Sequence, residues 1–145
     1  MRPSLRFCLT TLSVLALCAP ALAETDQEVA ARAVALDLAG AFANDGFKLR
    51  DGHWAGTLAP NESKLIAVNL YAGNEYWFSA GATEQAKKLA MEVFDETGAA
   101  VTTQIFNSGT KAAVGFPVTN SGQYFIRVRL AEGGAAGVCF LYSYK

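Results

Sequence analysis

A chain of 145 residues with twelve Lys and Arg against thirteen Asp and Glu has no surplus of positive charge for phosphate or anionic lipid, since both partners need clustered cations. The signs are interspersed, so nucleic acid and a membrane surface are not expected partners. With 52 % hydrophobic residues, one domain can bury its core without disulfide staples.

Residues 1–23 carry Arg2 and Arg6, an apolar run over 7–17 and the small-x-small exit Ala21-Leu22-Ala23, the pattern of a secretory signal peptide. The run is well short of the roughly 20 residues a spanning helix requires. Leu17 before Cys18 is too bulky for a lipoprotein box. The expected location is therefore periplasmic or secreted, in a bacterium, with no membrane attachment after cleavage. Removing the signal takes away Cys8, Cys18, Arg2 and Arg6, which leaves ten basic residues against thirteen acidic ones and Cys139 as the sole thiol. No intramolecular disulfide can then form, and Cys139, within Val138-Cys139-Phe140-Leu141, reads as a buried, inert cysteine.

Residues 24–51 form the next unit, a helix and its connector. Thr25-Asp26-Gln27-Glu28 is a capping box, in which the Thr25 hydroxyl accepts from the backbone three residues on and Glu28 reaches back. The helix continues through Asn44, and Gly46 supplies the stop. At 100° per residue, Ala31, Val34, Ala35, Leu38 and Phe42 share one side, while Val29, Ala33 and Leu36 share nearly the opposite one. The second apolar side is either tolerated in water or covered by a loop, a partner chain or another copy, so a homodimer through this helix is one expectation.

Residues 52–145 read as β throughout. Strands are expected over 53–59, 65–71, 75–80, 89–95, 100–106, 112–118, 123–130 and 137–144, separated by Gly-, Asn- and Pro-containing turns. Runs 65–71 and 75–80 read as a hairpin about Ala72-Gly73-Asn74, and 89–95 with 100–106 as a second. Ile66, Val68 and Leu70 alternate inward, as do Tyr76 and Phe78, and then Tyr124, Ile126, Val128 and Leu130, with Phe125, Arg127 and Arg129 outward. Pro117 marks an edge or a strand end. The expected fold is mainly β: an antiparallel β-sandwich or jelly roll of about eight strands with one N-terminal α-helix.

Four stretches in order, Trp54-Ala55-Gly56-Thr57-Leu58, Val68-Asn69-Leu70-Tyr71-Ala72-Gly73-Asn74-Glu75-Tyr76-Trp77-Phe78, Val93-Phe94-Asp95-Glu96-Thr97-Gly98 and Ser121-Gly122-Gln123-Tyr124-Phe125-Ile126-Arg127-Val128, resemble the bacterial pre-peptidase C-terminal domain over about residues 52–145. The resemblance implies a small β-sandwich accompanying secreted enzymes, noncatalytic, with a role in substrate binding, secretion or stability, and with calcium or collagen bound by some relatives. The chain departs from that pattern at Ile105-Phe106-Asn107-Ser108-Gly109, where relatives often carry an acidic residue. A family-type calcium site is thereby less expected, and no other cofactor is.

His53 is the only histidine, so a histidine-dependent enzyme, with Asp51 and Ser63 nearby in sequence, would have to run through it. No Gly-x-Ser-x-Gly elbow accompanies it. Asp95-Glu96 is the best local carboxylate pair, whether for calcium, for catalysis or simply as a turn. Alternation along 75–79 sends Trp77 outward beside Glu75, with Tyr71 across the turn; an outward Trp can stack on a sugar or fill a partner's pocket, or lie beneath the helix. The leading expectation is a noncatalytic exported binding or accessory module for a protein, peptide or glycan, with Trp77, Glu75 and Tyr71 as contacts. A small enzyme or enzyme inhibitor using Asp51, His53 or the Asp95-Glu96 turn is the alternative.

Overall fold

The computed structural model describes residues 23–50 and 52–145; residues 1–22 of the expected signal segment and the Asp51 candidate lie outside the described residues. The capping box forms as read: the Glu28 amide donates to Thr25 Oγ1 at 3.2 Å and the Thr25 amide to Glu28 Oε2 at 2.9 Å. It opens helix α1 (Asp26–Ala43), and Gly46 follows it at φ 88°. Among the described residues nine strands follow: β1 (Lys48–Leu49), β2 (Trp54–Leu58), β3 (Ser63–Leu70), β4 (Glu75–Ala82), β5 (Ala86–Phe94), β6 (Gln104–Ser108), β7 (Lys111–Pro117), β8 (Gly122–Gly133) and β9 (Ala136–Tyr144). No helix among the described residues is long and apolar enough to cross a membrane.

The strands make two antiparallel sheets, a six-stranded one in the order β1-β9-β4-β7-β6 with β2 also on β9, and a three-stranded one in the order β3-β8-β5. Their facing sides interdigitate Tyr76, Phe78, Val114, Phe116, Val138 and Phe140 from one with Val68, Leu70, Leu89, Val93, Ile126 and Val128 from the other. This is the β-sandwich expected from the alternation, with nine strands in place of about eight. The extra strand, β1, pairs Lys48 with Tyr144 and Leu49 with Ser143; two residues are too few to leave a period-2 signature.

Both hairpin expectations fail at the level of pairing. β3 pairs along its whole length with β8, whereas β4 pairs with β7 and β9 in the other sheet, so residues 71–74 form a corner between sheets. The Tyr76 hydroxyl ties that corner, accepting from the Tyr71 amide at 3.1 Å and from Asn74 Nδ2 at 3.2 Å. The reason lies in burial: β3 alternates exposed and buried, but β4 is buried on both faces from Phe78 onward. A one-sided strand and a two-sided strand belong to different layers. Likewise β5 meets its return segment only at the Phe94–Ala100 bridge and the Val101 amide to Val93 carbonyl bond, after which the chain leaves for β6 in the opposite sheet. Pro117 is the last residue of β7, a strand end as expected.

Helix α1 covers the outer side of the six-stranded sheet with Ala31, Ala35 and Ala39 against Cys139 and Leu141. Small residues let the backbones come close: a Cβ added at Gly81 would lie 2.4 Å from the Ala35 amide nitrogen, and one at Gly137 would lie 2.6 Å from the Gln27 carbonyl oxygen. The opposite helix side stays in solvent, with Val29 and Leu36 exposed. Cys139 is a free thiol beneath this helix. Burial raises its pKa to about 11, against the opposing pull of the neighbouring Arg32 guanidinium, so it carries no thiolate at neutral pH.

Candidate functional site

Trp77 lies on the helix side of the sheet, half-buried, with its indole across Gly115, its direct partner on β7. A Cβ at Gly115 would stand 2.5 Å from the indole ring. The Phe42 ring stacks on Trp77 with centroids 4.3 Å apart and planes 13° from parallel. Backbone and Phe42 together occupy both π-faces, so the ring serves as a seat for the helix rather than an open platform. Replacing Phe42 with Ala is expected to uncover one face: Trp fluorescence shifts red and becomes more quenchable, and stability falls by about 1 kcal/mol beyond the lost burial. Unchanged quenching would show that the stack does not persist in solution.

Glu75 and Tyr71 lie near the C-terminus. Lys145 Nζ approaches Glu75 Oε2 at 3.5 Å, and the two residues exchange backbone hydrogen bonds. Tyr71 is exposed, with the Arg50 guanidinium 5.9 Å from its ring centre. The three predicted contacts therefore form no shared cleft: Trp77 belongs to the helix interface, Glu75 to the clamp on Lys145, and Tyr71 to the corner.

His53 Nε2 accepts from Arg32 Nη2 at 2.7 Å when the ring is neutral, and stands 3.1 Å from Glu24 Oε1; Arg32 is itself ion-paired with Glu24. The ring thus staples the helix start to the approach to β2. Asp95 closes its own turn: Oδ1 accepts from the Thr97 amide at 2.9 Å, the Thr97 hydroxyl at 2.6 Å and the Ala99 amide at 3.0 Å. That oxygen is thereby committed to holding the turn closed.

The Thr97 hydroxyl, with the backbone donors behind it, holds the Asp95 carboxyl below its ordinary 3.8. A depressed carboxyl contributes stability above the unfolded value and loses it as pH falls through the folded one. Wild type is thus expected to exceed Asp95→Ala in urea midpoint at neutral pH, and the gap should close on the acid side of 3.8. A gap independent of pH would mean that the charge plays no part.

The edge of the larger sheet presents a different kind of site. All five residues of β6 are exposed, Ile105 at 64 % and Phe106 at 42 %, and among the described residues β6 pairs only with β7. The Ala82 amide donates to the Thr110 carbonyl and the Val118 amide to the Asn74 carbonyl, so even-numbered residues of β7 turn their backbone groups toward β4. Alternation then directs Lys111, Ala113 and Gly115 toward β6, where they bond their partners Ser108, Phe106 and Gln104. Ile105 and Asn107 are left with N–H and C=O pointing away from the sheet. No residue from Thr97 to Thr110 is charged, so the usual protection of an edge by Lys or Pro is missing.

Beside this edge lies a cavity of about 300 Å³ lined by Met91, Val93, Val101, Thr103 and Ile105 among others. Ile105 faces the cavity side, and Phe106, opposite Ala113, faces the helix side. Reading 100–106 as the return strand of a hairpin hid this edge, because both strands of a hairpin would be paired there. The charge-free run was the available signal. Compared with models of protein families and with characterised proteins, the chain matches none.

Proposed function

We propose that this chain is a noncatalytic, exported binding module that recognises an extended segment of a protein or peptide partner by adding it as a strand to β6. The observation that carries this reading is the uncharged free edge, with Ile105 and Asn107 aiming unpaired backbone groups outward. In strand addition, main-chain bonds supply affinity and pockets for alternate side chains supply selectivity. The cavity beside Ile105 is such a pocket, open to an apolar side chain from the added strand. The signal-like segment 1–23 supports export, and the resemblance to pre-peptidase C-terminal domains supports an accessory role. Glycan stacking on Trp77 has less support, because Phe42 would have to leave the ring first.

Selection of a displayed library of short random peptides on the immobilised protein tests the reading. Uncharged sequences rich in β-branched and aromatic residues should be enriched, and their binding should be lost with Asn107→Pro, which removes one outward amide at an edge position that tolerates proline. Enrichment that Asn107→Pro leaves intact would place binding elsewhere.

A further inference from the structure

We propose that the segment this edge accepts in the absence of another partner is the β6 of a second copy, paired antiparallel about a two-fold axis at Phe106. The inference rests on the reading of β6 as the interaction edge and adds a partner and a register to it. In an antiparallel pair, hydrogen bonds are exchanged by directly opposed residues whose backbone groups face each other. Only Ile105 and Asn107 within β6 face outward, so the register that uses every outward group sets Ile105 of one copy opposite Asn107 of the other, twice over. Phe106 then stands opposite its own copy, in the closer, non-hydrogen-bonded type of pair where aromatic side chains gain most. Gln104 falls opposite Ser108, so no charge opposes a charge anywhere along the ladder.

The two-fold axis runs perpendicular to the sheet and joins two six-stranded sheets into one. Both α1 helices then lie on the same side, and sterically they do not meet. The helix rests on β4 and β9, with β7 between them and β6; at about 4.8 Å per strand the two helices stand roughly 25–30 Å apart, well beyond the ~10 Å diameter of each. The exposed Phe106 rings meet on that side, while the two Ile105 side chains extend the apolar lining of each cavity.

Sedimentation of the protein tests the proposal directly. A dimer is expected that dissociates on dilution into the low micromolar range, as befits an interface below about 1,200 Å². Phe106→Lys and Phe106→Glu should each be monomeric, because like charges would face each other at the axis. An equimolar mixture of the two at low salt should recover the dimer, a result specific to this register. Asn107→Pro should be monomeric with an unchanged unfolding midpoint. A wild type that stays monomeric at every concentration, a dimer that survives Asn107→Pro, or a mixture no different from its components would overturn the proposal. If the wild type is monomeric while Asn107→Pro still loses selected peptides, self-pairing fails and the binding reading stands. If the dimer forms as described but no peptide is selected, the reverse holds.

Discussion

Gly81→Val is expected to lower stability by about 3 kcal/mol or more, on the order of 10 °C in melting temperature for a domain of this size. The position is buried in β4, and its φ is not in the left-handed region, so the effect is purely steric. A Cβ there would come within 2.4 Å of the Ala35 amide nitrogen, 2.8 Å of the Val34 carbonyl carbon and 2.9 Å of the Ala31 carbonyl oxygen. All three are helix backbone and cannot rotate away, so the helix must lift off the sheet. Lifting would expose the Ala31, Ala35 and Ala39 stripe and part the Phe42–Trp77 stack. Gly115→Ala is the informative comparison: the three atoms nearest its new methyl all belong to the Trp77 side chain rather than to backbone, so the loss should be smaller. Gly40→Ala, with nothing within 4 Å, should stabilise by up to about 1 kcal/mol through helix propensity. Urea titrations of the three variants check the order, and equal losses for Gly81→Val and Gly115→Ala would mean that the helix is not held at backbone contact.

Phe78→Ala should cost about 3–5 kcal/mol, a large part of the 5–15 kcal/mol that holds a typical domain together. Phe78 is fully buried between the sheets. Its ring centre is 5.6 Å from that of Tyr142, 5.9 Å from Phe140, 6.1 Å from Phe116 and 6.2 Å from Tyr76. Truncation leaves a cavity lined by rings carried on three strands of the larger sheet, β4, β7 and β9, with Tyr124 of β8 behind Phe116. The variant should unfold at much lower denaturant, losing its near-ultraviolet aromatic signal in the same transition. A loss below about 1 kcal/mol would imply that the rings repack to fill the space, contrary to the close packing usual in protein interiors.

Much of the architecture was legible because it rests on local rules. The Thr25–Glu28 box starts the helix where it starts, and Tyr76, Phe78, Ile126 and Val128 face the core as their alternation requires. Pairing was not legible. Period-2 alternation says which face of a strand is buried, not which strand lies beside it, so β3 and β4 looked like neighbours although they stand in different sheets. The candidate site suffered from the same gap. Trp77 was correctly placed on the side away from the sandwich core, but whether Phe42 or solvent met it depended on where α1 docked.

Local chemistry along the chain set the class: a capped helix followed by half-buried strands, with a core apolar enough to need no disulfide. Those properties follow from side-chain size, polarity and spacing, which act over a few residues and leave their mark in the chain. Tertiary structure alone decided that Gly81 and Gly137 would receive the helix backbone and that Trp77 would lie between Gly115 and Phe42. It also decided that Ile105 and Asn107 would turn their backbone groups to an open edge. Each of these depends on which distant segment arrives opposite, and backbone hydrogen-bonding groups are the same in every residue, so no side-chain pattern can announce which of them remain free.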